Sequence, residues 1–256
     1  MKSLIKNIAL FSSIITLRNL LKIRPVPISI RTLETSSISD AFAWRTDNNF
    51  TTKFKYSDIL NIFYKIKDSW VEIHFFSKEN KLIKKKRYYN LDLSNEIEIN
   101  SDYLDGIENY GVFYIHHYSE ENIEEDVLIS NRCYIGYSHN NNLFSFVHGN
   151  TLAKSTKISY DGKIKSNLVK TSLFKNNHYR IQKYFGGFDK NELFFSNPTT
   201  KIIKFSIDNN HYMLNAGCSK LIDISNKKII TIISNCLFLR PTVFSYKNNY
   251  LDVHHS

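Results

Sequence analysis

Nine histidines are the first residues to weigh for chemistry, and four of them form adjacent pairs, His116-His117 and His254-His255. Successive residues of a strand point to opposite faces, so neither pair can grip one ion. A metal site would need one member of each pair and a third ligand. His148, in Phe-Val-His-Gly-Asn, is the candidate for that third position. A set of His116, His148 and His254 would suit zinc, copper or non-haem iron and would make the protein a hydrolase or oxidoreductase. Nothing in the sequence spacing brings 116, 148 and 254 together. The expectation is therefore structural histidines and no cofactor, with the metal enzyme as the alternative.

A second constellation is local. Asn131-Arg132, Tyr134, Tyr137, His139, the run Asn140 to Asn142, and His148-Gly149-Asn150 concentrate planar polar groups and rings within one stretch. Sugar recognition uses such sets, because amides, guanidinium and imidazole bond hydroxyls while a ring stacks on the pyranose face. Arg132, Tyr134, Tyr137, His139, His148 and Asn150 are the candidate ligand-binding residues. The competing reading is a hairpin tip in which Asn serves for its tolerance of left-handed backbone. Glycine-rich phosphate loops, HExxH and GxSxG are absent from the sequence. Gly186-Gly187, between Phe185 and Phe188, reads as a loop or bulge. Trp44-Arg45-Thr-Asp47 reads as a loop anchor in which Arg and Asp pair while the ring packs. Lys84 to Arg87 reads as a solvated edge, where lysines discourage strand pairing.

These residues need a scaffold, and the composition says which kind. The chain has 256 residues, 32 Ile, 34 Phe plus Tyr and only five Ala, which favours strands over helices. Val71, Ile73 and Phe75 alternate with Trp70, Glu72 and His74 as in a half-buried strand. A hairpin follows with Lys78 to Lys81 at its tip, and then a series of short β-runs. Tyr103 to Tyr110 reads as a turn or one helical turn. After residue 150 the same grammar repeats, with Asp161-Gly162 as a hairpin signal. Cys133, Cys218 and Cys236 show no CxxC spacing, so each reads as a small core residue, unless Cys218 and Cys236 lie on neighbouring strands and pair.

The N-terminus carries Lys2, Lys6 and an apolar run, Ile8 to Leu17, followed by Arg18, Lys22 and Arg24 without a small-residue cleavage site. That run is too short to span a bilayer. A short amphipathic helix over 4–21, ended before Pro25 and Pro27, fits better, lying on the protein or a membrane surface. The location expected is cytoplasmic, with membrane association or export as alternatives.

The expected architecture is all-β: two tandem antiparallel β-sandwich lobes, 36–150 and 151–256, behind the helix and linker 1–35. Asn197-Pro-Thr-Thr, then Lys201 to Ile207, then Leu214-Asn-Ala-Gly-Cys-Ser-Lys-Leu-Ile-Asp-Ile224 resembles bacterial Ig-like adhesion modules. The resemblance implies a fold and no activity. Net charge is +10, divided as +5 over 1–35, −5 over 36–150 and +10 over 151–256. An anionic polymer as partner, or docking of one lobe on the other, would both use that division. No nucleic-acid motif appears, so nucleic acid is not expected. The function expected is a non-catalytic binding or structural module recognising carbohydrate or surface polysaccharide.

Overall fold

The structure is a computed structural model and describes residues 35–121, 123, 128–131, 133–159, 164, 166–171, 176–181, 185–224, 229–236 and 239–255, with isolated positions 11, 13, 14 and 17. The helix expected over 4–21 (but for those isolated positions), Arg132 and the Asp161-Gly162 turn lie outside these residues. Strands hold 58% of the described residues, so the protein is all-β. In chain order the strands are β1 (Ser36–Asp40), β2 (Phe42–Arg45), β3 (Phe50–Ser57), β4 (Trp70–Ser77), β5 (Leu82–Tyr88), β6 (Ser94–Ile99), β7 (Tyr110–Tyr118), β8 (Leu128–Asn131), β9 (Tyr134–His139) and β10 (Ser145–His148). They continue as β11 (Leu152–Lys157), β12 (Ser166–Asn167), β13 (Asn177–Ile181), β14 (Lys190–Ser196), β15 (Ile203–Ile207), β16 (Asn210–Leu214), β17 (Ser219–Asp223), β18 (Ile230–Ser234), β19 (Thr242–Lys247) and β20 (Tyr250–His255).

Among the described residues these form five four-stranded sheets, in the orders β2-β7-β4-β5, β10-β9-β3-β6, β12-β11-β1-β8, β13-β18-β15-β16 and β17-β14-β19-β20. Pairing is antiparallel except between β1 and β8. The expected hairpin tip at 78–81 is present, closed by Ser77 N–H donating to Lys81 O at 2.8 Å. A single short 3-10 turn, Asp102–Leu104, stands where one helical turn was anticipated. The sequence reading missed α1 (Ile59–Tyr64), which begins where the Asp58 carboxylate accepts the Asn61 N–H at 3.1 Å. Such a cap supplies an acceptor to a donor that the helix leaves unmade.

Among the described residues, two large hydrophobic clusters and two smaller ones hold the sheets together. In the first, Phe42 and Phe113 meet Phe54 of the β10-β9-β3-β6 sheet, with ring centroids 4.8 Å apart in each case. In the second, Leu193, Phe195 and Val243 pack with Ile203, Phe205, Ile207, Ile230 and Ile232. Strand β14 contributes to both, because alternate residues face opposite ways: Phe194 enters the first cluster, Leu193 and Phe195 the second. Cys133, Cys218 and Cys236 are all thiols, so the pairing of Cys218 with Cys236 does not occur.

Candidate functional site

The outer face of the β10-β9-β3-β6 sheet is where candidate ligand residues converge. Strand β3 alternates strictly, with Phe50, Thr52, Phe54 and Tyr56 inward and Lys53 and Lys55 outward. Register sets Lys55 beside Tyr134 and Tyr134 beside His148, and likewise Lys53 beside Gly136 and Gly136 beside Phe146. Tyr134 is 54% exposed and its ring lies 4.6 Å from that of His148. Phe146, 40% exposed, lies flat over Gly136. A Cβ on Gly136 would come within 2.5 Å of that ring, so the position admits no side chain while the ring stays in place.

The polar groups of this face are paired in rows. Lys53 Nζ and Lys55 Nζ reach Glu96 at 2.9 and 3.0 Å. Their hydrogen bonds hold the Glu96 carboxyl below its usual range. The same two ammonium groups stand 4.7 Å from the Phe144 ring and 5.2 Å from the Phe146 ring. The result is a face of mutually tilted, largely exposed rings bordered by near-balanced charge. Chemically it can stack on an apolar surface and bond to hydroxyls.

Tyr137, His139 and Asn150 do not join it. Tyr137, on the inner face, is fully buried, donates its hydroxyl to Ala43 O at 2.9 Å and packs edge-on against Phe244. His139 stands at the far end of β9 against Phe50 and Tyr246, at 5.0 and 5.5 Å. Burial, with Arg45 and Lys190 nearby, pulls its pKa down. Asn150 donates to Arg240 O and ties two loops together. Of the six residues, Tyr134 and His148 meet on one surface.

The three histidines proposed for metal do not form a site. Among the described residues, no three of His, Cys, Asp and Glu come close enough to hold an ion. His116 is buried on β7 with its ring 5.8 Å from His74, and His254 on β20 stands 3.8 Å from Asp252. No family model matches the chain, and a search of curated proteins finds none similar. No helix among the described residues is long and apolar enough to cross a membrane.

Two charged clusters escaped the sequence reading, wholly or in part. Arg45 pairs with Asp47 as expected, through Nη2 at 2.8 Å and Nε at 3.0 Å. It also reaches Glu192 on β14 at 2.7 Å and lies 3.9 Å over the Phe50 ring. Glu72, expected on the polar side of a half-buried strand, is only 1% exposed. Lys85, Arg87 and His74 surround it at 2.7, 2.9 and 2.6 Å, which is why a carboxylate survives burial there. Two of the lysine-run residues expected to be merely solvated, Lys85 and Arg87, thus have a specific partner. Period-two spacing links 72 with 74 and 85 with 87, but strand pairing across a hairpin was the signal that would have joined them.

Proposed function

We propose that the protein is a non-catalytic binding module that recognises carbohydrate through the outer face of the β10-β9-β3-β6 sheet, built on two tandem Ig-like β-sandwich lobes, 36–150 and 151–256. The observation that carries this reading is the exposed row of Tyr134, His148 and Phe146 beside the Lys53, Lys55 and Glu96 pairs. Such rings bury the C–H face of a pyranose, and the flanking charged groups bond its hydroxyls. The near-balanced charge of the face favours a neutral glycan over an anionic polymer. A cytoplasmic location is part of the same proposal, in keeping with three thiols in a reducing compartment.

Calorimetric titration against a panel of soluble neutral and acidic polysaccharides tests it. Binding to a neutral glycan, weakened about tenfold (about 1.4 kcal/mol) by Tyr134→Ala or Phe146→Ala, is the expected outcome. Absence of binding across the panel, or binding indifferent to both substitutions, would overturn it.

A further inference from the structure

A different sheet carries a cluster that the carbohydrate reading does not use. Lys154 on β11 is 8% exposed, and its ammonium sits 4.0 Å from the centre of the Tyr114 ring and 4.9 Å from that of Phe76. Ala41, Val112, Tyr114 and Ala153 make the surroundings apolar. Buried ammonium groups ordinarily rest on a carboxylate. Lys154 rests on rings, and burial pulls its pKa down to about 8.

Beside it stands an oriented imidazole. His74 is the cross-strand partner of Tyr114 and shares its face of β4 with Phe76, so it borders the same rings that seat Lys154. Its Nε2 lies 2.6 Å from Glu72 Oε1. A carboxylate held by Lys85 and Arg87 can only accept, so Nε2 carries the proton of the neutral ring and Nδ1 keeps its lone pair. The charge of Lys154 is felt at both His74 and His116. His116 is fully buried, and neither of its ring nitrogens finds a hydrogen-bond partner among the described residues. The His74 side chain retains 13% exposure, which gives the cluster an opening to solvent.

The geometry points to Lys154 as an amine that captures aldehydes or ketones covalently, with the Glu72–His74 pair as its proton acceptor. An amine, a base and a group that orients the base are the parts such a step needs. The Lys154 lone pair forms a bond to the carbonyl carbon, and the carbonyl electron pair moves to oxygen. The nitrogen passes a proton to His74 Nδ1, and the oxygen takes one up to give a carbinolamine. The nitrogen lone pair then expels that oxygen, which leaves as water with the proton returned by His74. An iminium linkage remains on Lys154.

Propanal with cyanoborohydride, applied to the full chain and followed by peptide mapping, traps that linkage as a secondary amine. Near pH 7.5 an amine of pKa about 8 has a neutral fraction about two-hundredfold larger than an ordinary lysine. Lys154 should therefore be alkylated at least about tenfold faster than exposed Lys86, with a rate that is half-maximal near pH 8. His74→Gln should slow Lys154 severalfold and leave Lys86 unchanged. Alkylation of Lys154 no faster than Lys86 in the unaltered protein would overturn the proposal. Equal rates at Lys154 with and without His74 would overturn the role of the dyad. The aromatic face lies on another sheet, so glycan binding and amine capture can fail separately.

Discussion

Arg45 shows what a single buried charge does in this molecule. Its guanidinium joins Asp47, two residues away, to Glu192, 147 residues away, and takes Phe50 and Phe244 against its plane. Burial alone would push the Glu192 pKa up. Arg45, Lys190 and Tyr246 outweigh that and hold it at about 2. The folded state therefore has the lower carboxyl pKa, and the stability it contributes is whole above about 4.5 and lost as the pH falls through about 2. Glu192→Gln should flatten that acid limb, at a cost of about 3 kcal/mol near neutrality in urea unfolding. The buried histidines act in a higher window. Burial holds His116 and His117 at about 3 and 4, so they stay neutral in the fold while the unfolded chain takes up protons. Their contribution is whole above about 6.5 and falls as the pH drops toward 4; His116→Leu should reduce the slope of stability between those values. The Arg45–Asp47 pair was legible because both partners lie in one short turn. Glu192 was not, since no local signal names a partner on a strand so distant in sequence. The burial of Glu72 and His116 was hidden for the same reason: alternation identifies two faces of a strand but does not say that both are covered.

At the level of elements, alternation was a faithful guide wherever one face meets the core and the other meets water. Strand β3 is the clear case, and its outward Lys53 and Lys55 are what give the proposed platform its polar border. It failed for β14, whose residues from Asn191 to Ser196 are all buried, because sheet β17-β14-β19-β20 has an apolar cluster against each face. It failed too for α1, a single short helix whose cap residue, Asp58, also accepts from the Ser69 hydroxyl at 2.9 Å. The same limit divides the candidate ligand set, since Tyr134 and Tyr137 lie on one strand and face opposite ways. Gly136 gives a direct test of the element that remains. Gly136→Ala leaves the strand register intact but drives a methyl group into the Phe146 ring, which sits at the surface and can swing away. The stability loss should be below about 1.5 kcal/mol by chemical denaturation, because an exposed ring is displaced and no core is overpacked. Glycan affinity should nonetheless fall about as far as with Phe146→Ala; unchanged affinity would separate Phe146 from the binding face.

The whole molecule raises the question of how the two proposed lobes share their stability. The charge division, −5 over 36–150 against +10 over 151–256, invites a purely electrostatic docking that salt would weaken. The contacts between the halves are of another kind. Phe194, Phe244 and Val253 lie in the same cluster as Phe42, Phe54 and Phe113. Strand β11 pairs with β1 over five register positions. The loop at Gly217 also packs on Asn80, with Ser219 N–H donating to Lys78 O at 2.9 Å. Apolar burial does not screen, and ladder hydrogen bonds are insensitive to ionic strength, so the charge difference sets how the surface meets other molecules more than how the halves meet each other. Domains joined by a large apolar contact lose their independence. The chain should accordingly unfold in one calorimetric transition, with van't Hoff and calorimetric enthalpies in agreement. Raising the salt from low to physiological strength should leave its scattering radius unchanged. Phe194→Ala, which removes a ring from the shared cluster, should cost about 3–5 kcal/mol and lower that one transition as a unit. Two resolved transitions, or a radius that grows with salt, would mean that the halves meet through charge after all and that β14 is an interface strand more than a core one.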